Sequence, residues 1–120
     1  MKKKKGVIIT QDEQDLLAFA GSGNIAKVRE LLAKGVNVNI KGQYDITPLH
    51  RAMEWFPHLL DKDFLGLTKL LIEAGADINA RDIDGATPLY CAAIEGFYDV
   101  VVYLHTHGAD LNVTLYNGFS

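Results

Sequence analysis

The chain of 120 residues carries 12 Lys and Arg against 15 Asp and Glu, a net charge of −3, and is 48% apolar and 22% charged. That length gives one domain and excludes a large multidomain enzyme, while the apolar fraction excludes a disordered tail and implies a packed core. No apolar run is long enough to span a bilayer, and the one cysteine, Cys91, has no partner for an intramolecular disulfide, so a cytoplasmic location is expected.

Residues 1–10 read as a flexible basic tail. Lys2 to Lys5 begin it, and the apolar run from Gly6 to Ile9 is too short for a signal peptide before Gln11, Asp12 and Glu13. Charge then drifts along the chain. Residues 6–41 balance four bases with four acids, residues 42–81 hold four bases and six acids, and residues 82–120 have five acids with no Lys or Arg. A nucleic-acid binder sets basic side chains against phosphates, and only the tail has them, without interleaved aromatics. Neither nucleic acid nor a membrane is an expected partner.

The first folded segment is Asp15-Leu16-Leu17-Ala18-Phe19-Ala20, followed by Gly21-Ser22-Gly23-Asn24 and Val28-Arg29-Glu30-Leu31-Leu32. The glycine-containing stretch lacks the preceding strand of a phosphate-binding fingerprint and reads as a turn between two helices. Next come Thr47-Pro48-Leu49-His50-Arg51-Ala52 and, later, Thr87-Pro88-Leu89-Tyr90-Cys91-Ala92. In both, Thr suits a helix N-cap and Pro the first helical position, and Leu and Ala three apart share a face. Gly96 ends the later helix, and Val100, Val101 and Leu104 supply the buried stripe of the one after it. Asp84-Gly85 and Asn117-Gly118 are tight-turn dipeptides.

Three segments also end alike: Leu31 to Asn39, Leu71 to Asn79 and Leu104 to Asn112, each with a glycine (Gly35, Gly75, Gly108) placed to end a helix in the left-handed region. Gly75 to Gly108 and Gly85 to Gly118 are both 33 residues, whereas Gly35 to Gly75 and Thr47 to Thr87 are 40, so the second unit carries seven extra residues. The repeated Thr-Pro-Leu, the Gly-Ala-Asp-x-Asn endings and the 33-residue period resemble the ankyrin repeat. That resemblance covers the chain from about Asp15 onward. It implies an all-α solenoid of stacked helix-turn-helix units joined by β-turn fingers, with His50 hydrogen-bonded within its own turn. The expected units are a capping one over 11–41, one over 42–81 with the insertion, one over 82–114 and a partial one over 115–120. Tyr90 stands where the next His belongs and Asp45 where a finger glycine belongs. The chain stops where a fourth first helix is due, so a fragment of a longer protein, or an end covered by another copy, is expected.

The insertion runs from Trp55 through Pro57 and Lys62 to Phe64. It reads either as a lengthened second helix or flap over the unit's edge, or as a recognition loop. No Cys–His–acid or Ser–His–acid set shares a cleft in this alignment, Cys91 is expected to pack, and His105 and His107 lie about 200° apart around a helix axis. The expected catalytic, cofactor and metal sites are therefore none.

The resemblance implies a concave binding face made by finger tips and the exposed ends of the first helices. Its candidate residues are Tyr44 and Ile46 with Gln43, then Ile83 and Asp84 with Ala86, then Tyr116 and Phe119 with Asn117, and, from the first helices, Glu54, Trp55, Ile94 and Glu95. The expected function is a non-enzymatic protein–protein interaction module whose partner is another protein with a basic surface, with self-association through the uncapped C-terminal end. Two other functions stay open on the sequence: an inhibitor or immunity-type protein masking a toxin or enzyme, and an adaptor or autoinhibitory part of a longer protein.

Overall fold

The computed structural model describes residues 9–59 and 61–116. The Lys2–Lys5 stretch and the expected contributions of Asn117 and Phe119 lie outside the described residues. Among the described residues six α-helices follow one another: α1 (Gln11–Ser22), α2 (Ile25–Ala33), α3 (Pro48–Ala52), α4 (Phe64–Glu73), α5 (Pro88–Glu95) and α6 (Tyr98–Thr106). The described residues contain no strand, which is the all-α architecture the repeat implies.

Local chemistry sets each helix boundary. At α1 the Thr10 hydroxyl accepts from the Glu13 N–H at 3.1 Å, and the Glu13 carboxylate accepts from the Thr10 N–H at 2.9 Å. The inter-helix turn is shorter than the four residues expected: Gly21 and Ser22 still belong to α1, Gly23 takes φ 82° to end it, and the Asn24 side chain caps α2. Thr47 and Thr87 cap α3 and α5, with Pro48 and Pro88 at the first helical position. After α2, α4 and α6, the glycines Gly35, Gly75 and Gly108 reverse the chain at φ 91°, 99° and 101°. The following N–H then bonds back to Leu31, Leu71 or Leu104, at 3.2, 3.0 and 2.9 Å.

The helix pairs stack through one continuous core. Leu16, Ala20, Val28, Leu49, Ala52, Leu67, Leu71, Ala92, Val100 and Leu104 are all within 1% of complete burial. α1 packs on α2 and α3, α3 on α4 and α5, and α6 on α4 and α5. Side chains then tie each pair to the next. The Asn39 amide donates to the Gly75 carbonyl at 3.0 Å and its oxygen accepts from the Asp77 N–H at 2.7 Å. Asn79 repeats both bonds one unit later, to Gly108 at 3.3 Å and from Asp110 at 2.8 Å. The asparagine that closes each of the first two repeated segments is thus the rung between units.

His50 performs the role the resemblance implies and adds a second one. Its Nδ1 lies 2.9 Å from the Thr47 hydroxyl and accepts from the Thr47 N–H at 3.2 Å, while Nε2 reaches the Ala86 carbonyl of the next finger at 2.9 Å. A carbonyl only accepts, so Nε2 carries the proton and Nδ1 is the acceptor. Burial holds this imidazole below its ordinary value of 6.5, against the raising influence of the Ala86 bond and Asp82. A base whose folded pKa is depressed is neutral in the fold but takes up a proton on unfolding below pH 6.5, so stability falls as pH drops through that value. The urea midpoint should therefore decline between neutral pH and pH 5. That part of the decline should vanish in His50→Tyr, which copies Tyr90 at the matching position.

The extra residues of the second unit do not lengthen a helix, since α4 has 10 residues against 9 in α2 and α6. They form a loop, and they also shorten α3. A helix continued through this stretch would drive the Pro57 ring into the Met53 carbonyl, and Phe56 before it is steered to extended backbone. α3 therefore stops at Ala52. Glu54 and Trp55, expected on this helix, lie in the loop beyond it. The polar backbone around this early stop is met by Lys62, the last residue but one before α4. Its buried ammonium donates to Glu54 at 2.6 Å, Arg51 at 3.3 Å and, across the unit boundary, Gly21 at 2.9 Å. The insertion is a flap fastened to the ends of α1 and α3.

Candidate functional site

Among the described residues two fingers, closed by the Gly42–Ile46 and Asp82–Ala86 backbone bonds, precede α3 and α5. In the later one, the Asp82 N–H donates to Ala86 at 2.9 Å, the Gly85 N–H to Asp82 at 2.9 Å, and the Asp82 carboxylate accepts from the Asp84 and Ala86 N–H groups. Gly85 supplies the left-handed residue, φ 87°. The earlier finger has no glycine there. Tyr44 (φ 61°) and Asp45 (φ 57°) both take left-handed backbone, the two non-glycine residues among those described with positive φ. Such a conformation costs roughly 1–2 kcal/mol for an L-residue. The strained turn leaves the Tyr44 ring 65% exposed.

The fingers are laced together. The Ile83 N–H donates to the Tyr44 carbonyl at 2.8 Å and the Tyr116 N–H to Asp84 at 2.9 Å. Arg81 bonds the carbonyls of Gly85 and Thr114, and its guanidinium lies 4.8 Å from the Tyr116 ring centroid. Tyr116 therefore spends part of its ring on the neighbouring finger, whereas the Tyr44 ring and the aliphatic Ile83 side chain are largely exposed to solvent.

Between fingers and first helices the surface sinks into two cavities. One, of about 430 Å³, lies between the first two units and is lined by Gln14, Leu17, Ala18, Gln43, Tyr44, Ile46 and Arg51. The other, of about 250 Å³, lies between the second and third units and brings together Ile46, Met53, Glu54, Asp82, Tyr90, Ile94 and Glu95. A third hollow of about 220 Å³ opens where the insertion meets the end of α1, lined by Ala18, Gly21, Arg51, Glu54, Phe56, His58 and Leu59. Ile46 is shared by the first and second, Arg51 by the first and third, and Glu54 by the second and third. Arg51 Nε and Glu54 Oε1, 3.2 Å apart, sit where the three meet.

Of the residues expected at a concave face, Tyr44, Ile46, Glu54, Ile94 and Glu95 thus line connected hollows. Ile83 and Asp84 stand on the finger tip beside them. Trp55, 44% exposed, lies on the loop and lines none of these cavities, although its neighbours Glu54 and Phe56 do. Arg51 was not among the expected residues. Its signal was present in the sequence: a charged residue enclosed by a short apolar helix, with Glu54 three positions on. Phe56, His58 and Leu59 escaped notice as individual lining residues because loop direction is not encoded in periodicity.

The remaining chemistry is quiet. Burial pushes the Cys91 thiol up to about 11, aided by the negative field of Asp82, so it stays protonated. The His107 ring stacks on Tyr103 and reaches that residue's carbonyl at 2.8 Å, closing the last turn of α6. Among the described residues no group of three or more His, Cys, Asp or Glu is placed to hold a metal ion, and no helix is long and apolar enough to cross a membrane.

A family model described as ankyrin repeats (3 copies) matches residues 16–115. The inactive serine/threonine-protein kinase TEX14 of Bos taurus is 35% identical over 84% of this chain, which is 6% of its own length. The palmitoyltransferase AKR1 of Lachancea kluyveri is 33% identical over 82% of the chain and 13% of its own length. An ankyrin repeat-containing protein, P1E11.10 of Schizosaccharomyces pombe, is 33% identical over 78% of the chain and 41% of its own length. The chain spans less than half the length of each of these relatives, so the likeness is to a repeat region and not to a kinase or transferase domain. With the family model matched through three repeats and the stacked pairs, Thr-Pro caps and asparagine rungs in place, the chain belongs to the ankyrin-repeat family.

Proposed function

We propose that the chain is a non-enzymatic, cytoplasmic interaction module that holds a segment of another protein, one with a basic surface, along the groove between its fingers and first helices. Ankyrin repeats are general protein-interaction modules, and the groove here has the apolar, aromatic and hydrogen-bonding lining such contacts use. Tyr44, Ile46, Ile83 and Ile94 supply the apolar contacts, Arg51 and Glu54 a polar centre, and Asp84 and Glu95 an acidic rim. Trp55 and Phe56 on the insertion extend the surface past the end of α1.

The observation that carries this reading is the backbone at Tyr44. A large, mostly exposed aromatic side chain is kept where glycine would fit with less strain. That choice weakens the fold and gains nothing in the core, which fits a residue retained for contact.

Tyr44→Gly tests it. Removing the strain should leave thermal stability unchanged or raise it by about 0.5–1 kcal/mol. Losing a central aromatic anchor should weaken partner binding by about 2 kcal/mol, or roughly thirtyfold. A variant that binds its partner normally would remove Tyr44, and with it the groove, from the interface.

A further inference from the structure

The hollows of the groove differ in charge. The cavity between the second and third units is lined by the apolar or aromatic Ile46, Met53, Tyr90 and Ile94 and by three acidic residues, Glu54, Asp82 and Glu95. No Lys or Arg lines it, whereas Arg51 lines both other hollows of the groove. Gly21 is what admits Arg51 to that side: a Cβ at this position would stand 2.5 Å from Nη2. The two neutral polar groups in the wall add no charge, because both ring nitrogens of His50 are engaged and the Cys91 thiol stays protonated. Among the acids, Asp82 already receives two backbone N–H groups and Glu54 faces Arg51. Glu95 has no ion-pair partner among the described residues. The cavity is therefore an apolar slot closed by negative charge, next to one that carries positive charge.

We propose that this cavity seats a lysine or arginine side chain of the bound protein segment. Its methylene stem lies against Ile46, Met53 and Ile94 and its charged head between Glu54 and Glu95, while Arg51 keeps cations out of the neighbouring cavity. A long aliphatic stem ending in a cation is the one natural side-chain type that satisfies both the walls and the rim. The inference rests on the groove being the binding face, and it assigns which part of a basic partner enters it.

The test is selection of random dodecapeptides displayed on phage against the folded full chain, followed by anisotropy measurements on the enriched sequences. Enriched peptides should carry a Lys or Arg at a fixed distance from an apolar residue. Replacing that cation with norleucine, which keeps the stem, should weaken binding about tenfold on the native chain and no more than about twofold on Glu95→Gln. Glu95 is exposed at the end of α5 and its carboxylate holds no part of the fold, so this variant folds as the native chain does. Enriched peptides without a cation, or norleucine peptides that bind equally, overturn the assignment. In those cases Tyr44→Gly separates the two levels: lost binding keeps the groove, and unchanged binding removes it as well. Failure to enrich any peptide overturns both.

Discussion

Leu71→Ala is expected to lower the free energy of unfolding by about 3–5 kcal/mol, the range for deleting a fully enclosed leucine whose surroundings collapse only partly. Leu71 is completely buried in α4, and its carbonyl receives the N–H of Ala76 at 3.0 Å in the turn that leads to the third unit. The position matters as much as the side chain. In a stacked array each unit is stabilised mainly by its neighbours, and among the described residues the second unit packs against a unit on both sides. A cavity there weakens both interfaces together, so the melting temperature should fall by about 10–20 °C. The same truncation at Leu104, in the last complete unit, should cost less. Equal losses at the two positions, measured by urea titration followed by circular dichroism, would show that coupling between units contributes little.

Lys62→Ala is expected to cost about 3 kcal/mol, although the residue belongs to the insertion and to no repeat position. Its ammonium is the donor shared by three carbonyls at or just past the ends of two helices, and removal takes that donor from Gly21 and Glu54, while the Arg51 carbonyl keeps the Glu54 N–H at 3.1 Å. Burial draws this lysine down to about 8 from its ordinary 10.5, with Glu54 resisting and Arg51 adding to the effect. The fold therefore tolerates an expensive placement for the sake of the bonds it makes. Gly23 belongs to the same arrangement, since a Cβ there would lie 2.6 Å from the Lys62 Cγ. Lys62→Met, which keeps the stem, should recover only the packing share of the loss. Full recovery by methionine would show that the three hydrogen bonds contribute nothing.

Most of the architecture was legible because it is written in short-range signals. Thr-Pro at a helix start, glycine after a helix end and the 33-residue period each dictate local backbone, and the structure has all three where they were read. The rungs were not legible in the same way. Asn39 and Asn79 were seen as part of a recurring ending, but their partners lie across a unit boundary, which periodicity does not reveal. The insertion was legible as extra length and as a proline stop, yet its course depended on Lys62 finding carbonyls contributed by two different units. The groove was half legible. Finger and first-helix positions were read from the repeat, and Ile46, Ile94 and Glu95 line one cavity with Glu54, which lies past the end of α3 and not on it as expected. Arg51 at the junction was missed because its role depends on the space that Gly21 leaves.

The fastening of the insertion also makes it a reporter of its own motion. Between Arg51 and Lys69 the chain offers trypsin one site, Lys62, and that side chain is 9% exposed with its ammonium hydrogen-bonded among carbonyls. The loop residues before it, from Trp55 to Leu59, are largely at the surface, yet none is a tryptic site. Cleavage after Lys62 therefore requires the flap to lift from both helix ends, and its rate counts lifting events in the otherwise folded protein. A partner that grips Phe56 or His58 would speed that clock or stop it, so one protease yields a kinetic signature of occupancy without a label.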